Sequence, residues 1–317
     1  MFRRVKEGAL AEHSIVGILR KLGKQGKGAE MRLPTRTERD LEYYRNTMEL
    51  IKRYEKEGFV IANADRVVLT QKGQGLVKDI SLVGGGNNVL YSKKKLQLSP
   101  NYKALAGELQ GFRKKIFPRH GLDQAPLSPS SALAKIAYAM KRGDVTRKRV
   151  ACIGDDDFLS LILALTGKAK DVLSIDLDKR VLRAIKGFSK KSKIKMETLK
   201  HDLRKPIPKR FRNKYDTVFF WSSDTEIGFN LFASRGIELL REKGKIYASV
   251  TPSWCHPLEL LGIRKGIFAM KLRITDFARN SGEYIFANKI WKVDLIRMEK
   301  SSASNPIYRI FRGKIPY

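Results

Sequence analysis

Between residues 126 and 250, short apolar runs alternate with amphipathic stretches, and this alternation constrains the fold more than any other feature of the chain. Val150-Ala151-Cys152-Ile153, Val172-Leu173-Ser174-Ile175, residues 196–199, Thr217-Val218-Phe219-Phe220-Trp221 and residues 245–250 read as strands. The segments 131–142 and 159–165, a stretch through Val181, Leu182 and Ile185, and 231–240 read as helices. Strands without a polar face, separated by helices, belong in a parallel sheet covered on both sides. The pattern predicts an α/β, Rossmann-like domain over 126–317. Segments around 271–274, 289–297 and 308–311 are expected to add strands, some antiparallel.

The N-terminal part has a different texture. Apolar spacing predicts helices over 8–23 and 37–58, the second with Thr37 as N-cap before Glu38 and Asp40. Residues 59–61 and 67–69 read as a hairpin about Asn63-Ala64-Asp65, and Thr70 caps a further helix through Val77 and Ile80. This order predicts a winged-helix-like domain over 1–81. Gly84-Gly85-Gly86-Asn87-Asn88 marks a boundary, and 82–125, with Lys93-Lys94-Lys95 and Arg113-Lys114-Lys115, reads as a basic connector.

Composition matters here through charge. Sixty-four Lys and Arg stand against 32 Asp and Glu, a net +32 spread along the whole chain. A thermophile's solvated surface would raise Glu along with Lys, so the imbalance suggests a polyanionic partner, nucleic acid before an anionic membrane surface. No run approaches the roughly 18–20 apolar residues of a membrane span, and the basic start lacks an apolar signal core. The expectation is a soluble, cytoplasmic protein. Cys152 and Cys255 form no metal-ligand pattern, so no metal is expected.

Ligands of doubly wound sheets bind beyond the carboxyl ends of the strands, and acids fall there three times. Gly154-Asp155-Asp156-Asp157 follows the first strand, Asp176-Leu177-Asp178 the second, and His201-Asp202-Leu203-Arg204 the third. In nucleoside-binding Rossmann enzymes the second acid takes the ribose hydroxyls and the third orients the adenine amino group. Three carboxylates in the first loop would repel a pyrophosphate. They would attract the amino and sulfonium groups of S-adenosylmethionine.

The blocks "DQAPLSPSSALAK", "RGDVTRKRVACIGDDDFLSLILALTG", "SIDLDKRVLRAIKG", "HDLRKPIP" and "FASRGIELL…GKIYASVTP" resemble the branched-chain polyamine synthase family over about residues 122 to 284. These are aminopropyltransferases of thermophilic archaea and bacteria that make N4-bis(aminopropyl)spermidine and carry a winged-helix-like N-terminal domain. The resemblance implies a thermophilic source, here taken as archaeal. It implies a nucleoside-sulfonium donor held by the Gly154 and Asp155 loop, Asp176 and Asp202, and an amine nucleophile near Asp155, Asp156 and Asp157.

Two departures shift the expectation away from the family's activity. Where the family has a DPP-x-T-like segment, this chain reads Phe219-Phe220-Trp221-Ser222-Ser223-Asp224-Thr225, without the prolines. A net charge of +32 would also repel a polycationic acceptor during approach. Both departures fit an amine on a nucleobase. The leading expectation is therefore an S-adenosylmethionine-dependent RNA methyltransferase with ribosomal RNA as partner, acting on an exocyclic amine, cytidine N4 before adenine N6; a homodimer is compatible with it. The alternative is an aminopropyltransferase making branched polyamines from decarboxylated S-adenosylmethionine, and a third is a non-catalytic nucleic-acid-binding regulator.

The catalytic candidates are Asp155, Asp156, Asp157, Trp221, Ser222, Ser223 and Asp224, with Trp221 placed to stack an extruded base. The donor-binding candidates are Gly154, Asp155, Asp176, Asp178, Asp202 and Leu203. Asn280, Glu283 and Tyr284 fall where the family has an acceptor-side segment. The donor discriminates the two enzymatic readings: a methyl donor brings a carboxylate that needs a cation, for which Lys135 and Arg142 are candidates.

Overall fold

The computed structural model describes residues 124–189, 195–252, 255, 257–286 and 289–313, with shorter pieces before them: 30–32, 51–52, 55–58, 60–63, 66–72 and scattered positions from 107 to 122. The chain divides into two units, 1–85 with 252–262, and 86–251 with 263–317. Among the described residues no helix is long and apolar enough to cross a membrane.

In the first unit, β1 (Glu30–Arg32), β2 (Val60–Asn63) and β3 (Arg66–Leu69) form an antiparallel sheet in the order β1-β3-β2. The expected hairpin is the β2–β3 pair, with Val60 opposite Leu69 and Asn63 opposite Arg66. The expected helices at 8–23 and beyond Lys72 lie outside the described residues.

The second unit is built on seven strands. They are β4 (Arg149–Ile153), β5 (Asp171–Asp176), β6 (Lys195–Lys200), β7 (Tyr215–Trp221), β8 (Leu240–Val250), β9 (Arg273–Phe286) and β10 (Lys289–Glu299). Their order is β6-β5-β4-β7-β8-β10-β9, with β6 to β8 parallel and β10 and β9 antiparallel at one edge. The unit's helices are α1 (Pro129–Lys141), α2 (Leu159–Thr166), α3 (Lys179–Ser189) and α4 (Glu226–Leu239); a further helix, α5 (Pro257–Ala269), has residues 257–262 in the first unit and the rest in the second. This is a Rossmann-like α/β fold with a mostly parallel sheet.

Central strands are buried on both faces, which is why they read as unbroken apolar runs. Val150, Ala151, Cys152 and Ile153 are all buried, as are Val218, Phe219 and Phe220. On one face Phe219 stacks on Tyr247, centroids 5.0 Å apart, and Leu133, Ile136 and Tyr138 of α1 belong to the same apolar cluster. Each such side chain contributes about 1.5–3 kcal/mol through removal from water.

Three expectations change. Residues 308–311 form no strand; they run as an irregular segment hydrogen-bonded to α4 and to the loop after β6. The helix α5 went unread because its apolar residues surround it without a clear polar stripe. Helix α4 begins five residues earlier than its apolar spacing suggested, because Thr225 caps it and accepts from the Gly228 amide at 3.1 Å.

Candidate active site

The carboxyl ends of β4, β5 and β7 converge on the turn after β4. Gly154 adopts φ +63°, and a Cβ there would sit 3.0 Å from Phe232 Cε1 and 3.6 Å from the Trp221 carbonyl oxygen. Only glycine meets both demands without strain. Its amide donates to the Ile175 carbonyl at 2.9 Å, and the Asp155 amide donates to Asp176 Oδ2 at 2.9 Å. Asp176 Oδ1 accepts from the Asp178 amide at 2.7 Å, and the Asp176 carbonyl accepts from the His201 amide at 3.1 Å. The three acidic segments are thus stitched together at the carboxyl ends of β4 and β5.

Their side chains serve different ends. Asp155 is buried and faces inward, accepting from Ser174 Oγ at 2.7 Å and from the Ser160 amide at 3.3 Å. Burial pushes it up to about 7, against the pull of Ser160 and Ser174. Asp157 is equally buried: Oδ1 accepts from the Leu127 amide at 2.7 Å, and Oδ2 lies 3.7 Å from Lys135 Nζ. The Arg113 guanidinium donates to the Asp157 carbonyl at 2.7 Å and also to the Leu127 carbonyl, clamping the turn from outside. Between them Asp156 is half-buried and, among the described residues, accepts no hydrogen bond. Burial, with repulsion from Asp157 and Asp176, raises its carboxyl well above the ordinary range, and Arg113 opposes the rise.

Asp176 is pushed up to about 6 by burial, although the amides of Asp178 and Asp155 favour its charge. Asp178 behaves otherwise. It accepts from the Arg180 amide at 2.8 Å, which makes it the N-cap of α3, and pairs with the Arg180 guanidinium at 2.6 Å. Burial works to raise it, but the hydrogen bonds from Arg180 prevail and hold it low. Asp202 pairs with Arg204 at 2.6 Å, and those hydrogen bonds lower it. Leu203 is half-buried beside it, and its carbonyl accepts from Arg235 at 2.7 Å.

The segment after β7 is a cap and a brace. Trp221 is half-buried and meets Tyr284 edge to face, centroids 4.8 Å apart, in the wall of the apolar core. Ser222 Oγ is buried and has no hydrogen-bond partner among the described residues. Ser223 Oγ lies 3.2 Å from Thr225 Oγ1, and Asp224 Oδ1 accepts from the Thr251 amide at 2.8 Å. Of the acceptor-side candidates, Tyr284 is buried, Glu283 pairs with Lys292 at 2.6 Å, and the Asn280 amide donates to Asp294 at 2.7 Å.

Sequence reasoning missed Leu177, Arg113 and Gln124. Leu177 stays 41 % exposed between two buried acids, Asp176 and Asp178. Arg113 looked like one cation in a solvated cluster. Gln124 Nε2 donates to Asp178 at 3.2 Å; the run "DQAP" signalled it without saying what it would touch.

Residues 111–308 match the family described as the Branched-chain polyamine synthase A C-terminal domain. An uncharacterized protein of Methanocaldococcus jannaschii is 36 % identical over 199 residues, 61 % of this chain and 50 % of that protein. The N(4)-bis(aminopropyl)spermidine synthase of the same organism is 28 % identical over 243 residues, covering 75 % of this chain and 69 % of that enzyme. The crystal structure of a Thermus thermophilus branched-chain polyamine synthase, in complex with N4-aminopropylspermidine and 5′-methylthioadenosine, superimposes with a TM-score of 0.62. It is 20 % identical and covers 86 % of this chain and 83 % of its own, a likeness of fold. The chain spans half the length of the uncharacterized relative.

These relatives correct the leading expectation from sequence. Those of them that carry a function in their name are polyamine synthases, so RNA methyl transfer, rRNA modification and an RNA partner are set aside. The misjudgement came from weighing the missing DPP-x-T-like segment and the net charge above the family blocks. Exposed charges act over a screening length of only roughly 8–10 Å, so net charge says little about what a local site selects.

Proposed function

The chain belongs to the branched-chain polyamine synthase family, and we propose that it is an aminopropyltransferase that builds branched polyamines from decarboxylated S-adenosylmethionine. The carrying observation is the Asp155-Asp156-Asp157 turn, where two carboxylates are spent on the scaffold and Asp156 alone is left open. Asp156 holds the acceptor amine and receives its proton. The nitrogen lone pair forms the new C–N bond at the aminopropyl carbon, and the C–S electron pair passes to sulfur, releasing 5′-methylthioadenosine. A secondary amine gives its N–H proton to the carboxylate; a tertiary amine has none to give and leaves a quaternary centre.

The donor's nucleoside lies along Asp176, Leu177, Asp202 and Leu203, with Gly154 allowing close backbone approach. Asp176 faces the ribose, and the two leucines flank the base. The expected S-adenosylmethionine gives way to its decarboxylated form, because both candidate cations for a donor carboxylate are committed. Arg142 pairs with Asp276 and lies 3.5 Å from the Tyr138 ring centre; Lys135 faces Asp157. Residues 1–81 as a winged-helix-like domain, 82–125 as connector and 126–317 as catalytic domain complete the proposal.

Purified protein with decarboxylated S-adenosylmethionine and spermidine is expected to yield branched product, detected by mass spectrometry. Asp156→Asn is expected to lower kcat/KM by about 100-fold or more, since it removes both the proton acceptor and the charge facing the amine. Product from S-adenosylmethionine but none from the decarboxylated donor would overturn the assignment.

A further inference from the structure

Arg235 is a cation buried where an apolar residue would be ordinary. It stands on α4, fully inaccessible, and its guanidinium is saturated by backbone carbonyls from two distant stretches. Nε donates to the Leu203 carbonyl at 2.7 Å and Nη2 reaches the Arg204 carbonyl at 3.5 Å. Nη1 donates to the Tyr308 carbonyl at 2.8 Å, and Nη2 to that of Arg309 at 3.4 Å. Glu238 supplies the countercharge at 2.6 Å, and its other oxygen accepts from the Ile207 amide at 2.6 Å. The two stretches also meet directly, the Phe311 amide donating to the Arg204 carbonyl at 3.0 Å.

The irregular segment after β10 is thereby strapped to α4 and to the loop after β6. The Ser304 hydroxyl donates to the Lys271 carbonyl at 2.7 Å, and the Tyr308 amide donates to Ser234 Oγ at 3.3 Å. The strap ends against the loop that carries Asp202 and Leu203. Carbonyls in a buried place must be paired, at a cost of about 1–3 kcal/mol for each one left unpaired. A guanidinium, planar and rich in donors, can pair carbonyls from two segments at once.

We infer that Arg235, acting with the strap 304–311, is a positioning residue for donor binding: it sets the Asp202-Leu203 loop at the height where the nucleoside is received. The inference rests on the nucleoside site proposed above. Arg235 touches no reacting atom, so its loss acts on affinity for the nucleoside and leaves the amine side alone.

The test uses the full chain, with 5′-methylthioadenosine titrated by calorimetry and with steady-state kinetics on decarboxylated S-adenosylmethionine and spermidine. Arg235→Met is expected to weaken methylthioadenosine about tenfold and to raise the donor KM by a similar factor, because a loosened supporting shell misplaces the loop. The spermidine KM is expected to move less than twofold. If Arg235→Met fails to fold, Arg235→Lys and Ser234→Ala decide, each expected to weaken the nucleoside about threefold as one part of the clamp is lost. Unchanged methylthioadenosine affinity in a folded variant, or an equal rise in both KM values, overturns the clamp and leaves the proposed function standing. Failure of the unaltered protein to bind methylthioadenosine overturns the nucleoside site itself, and the clamp with it.

Discussion

Buried and half-buried carboxylates gather at both ends of the parallel strands; cations match them at the amino ends, whereas at the carboxyl ends cations match Asp157 and Asp178 but not Asp155 and Asp176. At the amino ends, Asp144 accepts from Tyr247 Oη and from Arg297 at 2.8 and 3.2 Å, while Asp276 accepts from Tyr138 Oη and Arg142. Burial alone would raise Asp276, but its partners overcome that and hold it low. At the carboxyl ends, Asp155 and Asp176 take neutral hydroxyls and amides, and burial leaves them at about 7 and about 6. A carboxylate matched with a guanidinium has finished its electrostatic work. One matched only with neutral donors is left without a countercharge inside the fold, which is why burial raises it. The same residue type is matched by cations at one end of the sheet and, at Asp155 and Asp176, by neutral donors at the other.

The contrast can be broken first at the matched end. Arg297→Met leaves Asp144 buried with a hydroxyl in place of an ion pair, and is expected to cost roughly 3–5 kcal/mol of stability by chemical denaturation. The donor KM of the surviving folded enzyme should stay within twofold. A loss below about 1 kcal/mol would mean that the pair is no more than a surface bridge.

The unmatched end predicts a particular pH dependence. The folded values of Asp155 and Asp176 lie above the ordinary carboxylate value of about 3.9. Their stabilising protonation is complete below about pH 4 and is lost as pH rises through about 6 and 7. Without ligand, the thermal midpoint is expected to fall by several degrees between about pH 5 and about pH 8, and Asp155→Asn should flatten the fall. A midpoint that climbs over that interval would show that these acids are compensated after all.

The smallest effect sharpens the division within the crevice. Asp178→Ala removes the α3 cap and is expected to cost about 1 kcal/mol, with methylthioadenosine affinity changed less than twofold by titration. A tenfold loss of affinity at unchanged stability would return Asp178 to the ligand.

Much of the catalytic unit was legible because its signals are local. Parallel strands buried on both faces must be apolar, so β4, β5 and β7 announced themselves, and the acids that follow them stood out in a chain with half as many acids as bases. What an acid points at is not local. Asp155 and Asp157 are consecutive but one, alike in sequence, and go to different partners: Ser174 on β5 for one, Leu127 ahead of α1 for the other. Arg235 read as an ordinary helix residue because the carbonyls it gathers lie about 30 positions before it and 70 after.

By itself, then, the order of residues determined the alternation of strand and helix, the glycine turn after β4 and the family blocks, since periodicity and backbone freedom are properties of neighbours along the chain. Tertiary structure alone decided which carboxylates are consumed by the scaffold and which, like Asp156, accept no hydrogen bond among the described residues. Desolvation and pairing depend on what folding brings alongside, and for these acids that is chain from far away.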